Sequence, residues 1–202
     1  MASSLLPVNL LVEGPTDEVV VRRVLEHVGL AYGTTYGKSG KPHILKVLPK
    51  YNQAARFFPW LVVVDLDRDN DCAPDFVRVH LPKPAEHMCF RVAVRAIEAW
   101  LMADREQLAR FLHIPKTRLP TEPDAEEDPK RTLIDLARQS TRSSIREDIV
   151  PRSGSGTSIG PGYISRIIEF VEGTDIRWRP EIAAQHSDSL YRCINALESL
   201  KN

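Results

Sequence analysis

Leu61-Val62-Val63-Val64-Asp65-Leu66-Asp67-Arg68-Asp69-Asn70-Asp71 is the stretch that decides how the chain is read. A run of aliphatic, mostly β-branched residues reads as a buried strand, and acids appear abruptly at its C-terminal end. In extended chain Asp65, Asp67 and Asp69 point to one side while Leu66 faces the other. Upstream, Val8 to Val12 is a second short apolar run, ending at Glu13-Gly14-Pro15-Thr16-Asp17-Glu18. Pro15, with Asp17 and Glu18 in the first turn, suits a helix start. Val20, Val21, Val24, Leu25 and Val28 then follow helical spacing up to a stop at Gly29. His43 to Leu48 reads as a further strand and Met88 to Val94 as another, with a helix from Ala96 to Ala103. Strands apolar on both faces and separated by helices predict an α/β fold with a mostly parallel four-stranded sheet covered on both sides.

Downstream the pattern changes. A helix continues from Arg105 to Leu112, and Pro115 to Pro129 is a polar, Pro-rich connection. Helical stretches follow at Lys130 to Gln139, Tyr163 to Val171 and Ser189 to Leu200. The expected organisation is an α/β core over residues 1–104 and a helical C-terminal extension over 105–202 packed on it.

Lys+Arg and Asp+Glu each number 27 in the 202 residues, so the net charge is zero and a polybasic nucleic-acid coat is excluded. The longest apolar runs fall far short of the ~20 residues that span a bilayer. The opening MASSLLPVNLLVEG lacks the basic start of a signal peptide. Three scattered cysteines, Cys72, Cys89 and Cys193, give no disulfide framework and fit a reducing cytosol. The expectation is a soluble cytoplasmic protein without a membrane role.

Ligands in parallel α/β sheets bind beyond the carboxyl ends of strands. If the strands ending at Glu13 and Asp65 are neighbours, the two acids meet there. Two carboxylates about 5 Å apart repel by roughly 3 kcal/mol at an effective dielectric near 20. A cation relieves that repulsion, and an all-oxygen, highly charged ligand set selects Mg²⁺ or Mn²⁺. Such ions promote in-line displacement at phosphorus.

Glu13-Gly14-x-Thr16-Asp17 after one strand, with Asp65-x-Asp67-x-Asp69 after a later one, resembles the Toprim domain of topoisomerases, primases, recombination-repair proteins and the overcoming-lysogenization-defect nucleases. The resemblance covers about residues 8–104. Arg91-x-x-x-Arg95-Ala96-Ile97-Glu98-Ala99-Trp100-Leu101-Met102-Ala103-Asp104, followed by Ile159-Gly160-Pro161-Gly162-Tyr163, resembles small bacterial Toprim-like proteins associated with an ATPase in phage defence or mobile elements. The resemblance implies that Glu13 acts as general acid/base or metal ligand and that Asp65 and Asp67 hold the metal. Asp69 would be an auxiliary ligand. It further implies a metal-dependent nuclease acting on nucleic acid, DNA before RNA, as an effector beside an ATPase partner, with oligomerisation open. A non-catalytic interaction module binding the ATPase is the alternative. A haloacid-dehalogenase-like phosphatase also has a strand ending in DxD, but Asp69 stands where that family usually carries Thr or Val.

Asp17, Arg91, Arg95 and Glu98 are auxiliary candidates. On a helix Arg95 and Glu98 would be neighbours, either serving the site or forming a structural ion pair. Tyr32 to Gly40 has glycines one residue short of a P-loop and lies in the wrong context, after a helix and before a strand, so nucleotide binding is rejected. Read as a flexible loop, it makes Lys38 and Lys41 candidates for contact with a nucleic-acid backbone. Lys130 and Arg131 open a basic stretch, Lys130 to Arg152, that could position phosphates or form a solvated helix face. Tyr163 is a candidate for base stacking. Cys72, His80, His87 and Cys89 match no zinc pattern. Trp100, Trp178 and Phe170 are read as core.

Overall fold

A computed structural model describes residues 6–68 and 72–201. Its sheet has four parallel strands, β1 (Val8–Val12), β2 (Tyr32–Gly37), β3 (Trp60–Asp65) and β4 (Met88–Ala93), in the order β2-β1-β3-β4. The expected α/β class and parallel sheet are present. Helices α1 (Pro15–Val28), α2 (Lys41–Ala54) and α3 (Ala73–His80) link the strands. After β4 come α4 (Ile97–Ala103), α5 (Arg105–Leu112), α6 (Pro129–Arg138), α7 (Ser143–Ile149), α8 (Tyr163–Glu172), α9 (Pro180–Ala183) and α10 (Asp188–Ser199). The chain leaves β1 toward β2 on one side and later returns to β3 on the other. Strand order therefore reverses between β1 and β3, which opens a crevice at their carboxyl ends.

Side-chain alternation along the buried strands divides the core. Leu10, Val12, Leu61 and Val63 face a cluster shared with α1 and the C-terminal helices. Leu11, Val62, Val64 and Leu66 face a smaller cluster with Ile44, Leu48 and Phe76 of α2 and α3. Trp100, Trp178 and Phe170 are fully buried in the larger cluster, as expected of core residues.

One strand assignment is corrected. His43 to Leu48 is not a strand but part of α2, and the second strand is Tyr32–Gly37. In α2 the buried residues are Lys41, Ile44 and Leu48, spaced three and four apart on one helical stripe. Pro42 stands in its first turn, where no intrahelical N–H is required. The expected loop at Tyr32 to Gly40 is instead largely an edge strand whose residues are exposed or half-buried. Its YGTTYG sequence has no buried aliphatic run, so it lacks the signal that marks β1 and β3.

Candidate functional site

The ends of β1 and β3 are tied together by Glu13. Its Oε1 accepts the Asp65 backbone N–H at 2.8 Å, and its Oε2 accepts the Lys41 backbone N–H at 3.0 Å. Glu13 thus joins two strand ends to the start of α2. Asp65 closes β3 and its Oδ1 accepts the Ile97 N–H at 2.9 Å, which caps α4 from outside the helix. Asp17 lies in the first turn of α1, only 5% exposed. Glu98, in the first turn of α4, is 1% exposed.

Glu98 draws the C-terminal helices into this group. Its Oε1 accepts the Tyr163 hydroxyl at 2.8 Å and stands 3.5 Å from Lys130 Nζ, contributed by α8 and α6 respectively. Its Oε2 is buried with no hydrogen-bond partner among the described residues. A buried carboxylate oxygen left unpaired is costly, and such atoms call for an explanation.

The electrostatics behave as one unit. Burial, then the charges of Glu98, Asp17, Glu13 and Asp67, push the Asp65 carboxyl well above the usual range. Burial and the neighbouring Glu98 and Glu13 push Asp17 up to about 7. Burial raises Glu13 as well, opposed by the N–H groups of Asp65 and Lys41. Lys130 is raised chiefly by Glu98, so its ammonium is held charged beside the acids. Tyr163 is pushed well up by burial and by Glu98, which keeps its phenol protonated as a donor.

Asp67 is engaged elsewhere in the same region. Its φ of 51° turns the chain after Leu66, and its Oδ2 lies 2.5 Å from Lys41 Nζ. The same ammonium donates to the Asp65 carbonyl at 2.9 Å. Arg95 Nη1 donates to the Asp67 carbonyl at 3.0 Å, while Asp67 N–H donates to the Arg95 carbonyl at 2.8 Å. Asp69 lies outside the described residues.

Several expected roles change. Lys41 is not on a flexible loop but opens α2, with its side chain buried against the turn that carries Asp67. Lys38 pairs with Glu18 at 2.5 Å. Arg131 reaches Asp135 one turn along α6. The helical spacing of Arg95 and Glu98 does not apply, because α4 begins at Ile97 and Arg95 precedes its cap. Arg91 lies on β4 with its Nε buried and without a hydrogen-bond partner among the described residues. Tyr163 cannot stack a base, since it is 2% exposed and bonded to Glu98. The link from Glu98 to Tyr163 was invisible in the sequence, where 65 positions separate the two.

A cleft of about 320 Å³ opens beside the end of β3, walled in part by Asp65, Asp67, Arg68, Arg95, Asp128 and Lys130. A broader depression of about 730 Å³ near Glu106 and Lys116 contains none of these acids. The buried carboxylates of Asp17, Asp65 and Glu98, all oxygen donors, with Glu98 Oε2 lacking a partner among the described residues, are of the chemistry that suits a hard dication. Among the described residues no three His, Cys, Asp or Glu side chains already stand in a metal-holding group. Both oxygens of Glu13 carry backbone N–H bonds, so any ion would be received by reorienting side chains rather than by a finished cage.

No protein-family model, curated protein or solved structure matches the chain. Among the described residues no helix is long and apolar enough to cross a membrane.

Proposed function

We propose that the chain is a Toprim-like, Mg²⁺- or Mn²⁺-dependent phosphodiesterase that cuts nucleic acid, DNA before RNA, as an effector beside an ATPase partner in phage defence or mobile-element loci. The observation that carries this reading is the convergence of Glu13, Asp17, Asp65 and Glu98 at the strand-order reversal, with Glu98 Oε2 unpaired. Asp17, Asp65 and Glu98 would hold the ion, with Glu13 fixing the strand ends that carry them. A bound dication supplies an activated water and neutralises charge on the departing oxygen.

The chain's own residues do the rest. Lys130, pinned to Glu98, places a positive charge beside the acids where a phosphate's oxygens gather negative charge. Arg95 and Arg68, on the cleft wall, are suited to orient the diester by charge-assisted bonds. Lys41 fixes the turn after β3 through the Asp65 carbonyl and Asp67. Asp67 thereby serves the turn, and joins the ligands only on leaving Lys41.

Plasmid and oligonucleotide cleavage with Mn²⁺ is the test, comparing wild type with Asp65→Asn and Glu98→Gln. Each substitution is expected to lower the rate by roughly 100-fold or more, and chelation to abolish it. Equal cleavage by all three proteins would remove the acids from the chemistry. The Lys41 ammonium lodged against Asp67 favours one second reading, a non-catalytic module that binds an ATPase. That reading requires partner capture to be indifferent to the same substitutions.

A further inference from the structure

The acidic cleft does not end at Lys130. A second cleft of about 250 Å³ shares Asp128 and Lys130 with it and continues past Arg131, Arg138, Thr157 and Ser158. The two therefore meet at the first turn of α6, and their chemistry differs. The first sets four acids, Asp65, Asp67, Glu127 and Asp128, against Arg68, Arg95 and Lys130. The second is lined by Lys130, Arg131 and Arg138 against the single acid Asp128. Asp128 is already committed, because its Oδ1 accepts the Arg131 N–H at 2.9 Å and caps α6.

The two guanidinium groups are set in place from behind. Asp135 Oδ2 accepts Arg131 Nε at 2.9 Å, and its Oδ1 lies 3.6 Å from Arg138 Nη2. Arg131 is thus held through Nε, with its terminal nitrogens left for a ligand. Both side chains stay more than half exposed. Opposite them runs the segment Arg152-Ser153-Gly154-Ser155-Gly156-Thr157-Ser158, whose two glycines have φ of 75° and 69° and open space where a Cβ would stand. A loop of this kind lets a backbone lie close to its N–H groups and hydroxyls.

We propose that this second cleft is the subsite for the phosphate next to the one being cut, on a single nucleic-acid strand. Arg131 and Arg138 hold its oxygens, and the Thr157–Ser158 segment closes the far wall. The inference rests on the phosphodiesterase reading and adds where the strand runs: from the acids, past Lys130, along α6. The contacts go to phosphate only, so the subsite is indifferent to base sequence. With zero net charge the molecule as a whole exerts no net attraction on a polyanion, and a local cleft of this kind would supply the grip.

The test is binding of a fluorescein-labelled single-stranded oligonucleotide, followed by anisotropy over a salt series with Ca²⁺ in place of Mn²⁺. The double variant Arg131→Ala/Arg138→Ala is compared with wild type and with Arg56→Ala/Arg78→Ala, which removes the same charge away from both clefts. Expected for the α6 variant is roughly tenfold weaker binding and a slope of log affinity against log salt shallower by about one. An unchanged slope, an equal loss in the comparison variant, or no binding by wild type overturns the subsite. Hydrolysis of bis(p-nitrophenyl) phosphate with Mn²⁺, a diester too small to span both clefts, examines the acidic centre alone. No turnover with the slope change intact refutes the phosphodiesterase reading and leaves the subsite standing. Turnover with an unchanged slope does the reverse.

Discussion

At the scale of single residues, the buried acids make a definite statement about pH. An unfolded Asp releases its proton near 4, whereas Asp17 in the fold keeps its proton up to about 7. Between those values the folded chain binds more protons than the unfolded chain, so its stability falls as pH rises from about 4 to about 7. Asp65, raised for the same reasons, acts in the same direction. In metal-free buffer the melting temperature should decline across that window, and Asp17→Asn should flatten the decline in a thermal-shift series. Addition of Mn²⁺ should shrink it in the wild type, because a cation replaces the proton that relieved the repulsion. A melting temperature that climbs through the window would contradict the burial of these acids. Glu13 and Asp65 were legible in the sequence because each acid ends an apolar run. Glu98 was less so, since Ala96-Ile97-Glu98-Ala99-Trp100 gives no sign of which helical face is covered. Its burial comes from Tyr163 and Lys130, which fold back from far along the chain.

At the scale of elements, β1, β3 and β4 could be read because their residues are apolar and buried between two layers. The exchange of β2 and α2 has a physical reason. His43-Ile44-Leu45-Lys46-Val47-Leu48 carries enough aliphatic residues to suit either period, and Pro49 next to it is a residue that usually interrupts a helix. In the fold Pro49 lies inside α2. The edge strand β2 depends on a glycine instead of on apolar content. Gly37 has φ 94°, and a Cβ there would come within 2.4 Å of the Val12 carbonyl. That carbonyl accepts the Lys38 N–H at 2.8 Å, immediately before Glu13. Gly37→Ala should therefore destabilise the protein by about 1–3 kcal/mol in urea unfolding. It should also lower cleavage, because the displaced strand end carries Glu13. A neutral substitution would mean that the close packing of β1 against β2 is not present in solution.

At the scale of the whole molecule, the expected division at residue 104 crosses a continuous core. One cluster of buried residues runs from Val8 in β1 to Leu197 in α10. Trp178 Nε1 donates to the Trp100 carbonyl at 3.0 Å, and Asp104, fully buried, accepts the Arg179 guanidinium. A fragment of residues 1–104 would expose Trp100, Leu101 and the side of α1 that α8 and α10 cover. It should show no cooperative melting by circular dichroism, while the full chain should unfold in one transition. Cooperative melting of the fragment would establish the first segment as a self-sufficient domain.

Lys130 owes its place to the neighbours it rides with. Leu133, Ile134, Leu136 and Ala137 of α6 are all buried, so the helix that delivers the ammonium to Glu98 is seated by aliphatic packing. Charge placement and hydrophobic fit are thus tied together. A substitution that trims or enlarges a methyl under α6 also shifts the ammonium set beside Glu98, and a second change must restore the fit for that contact to survive.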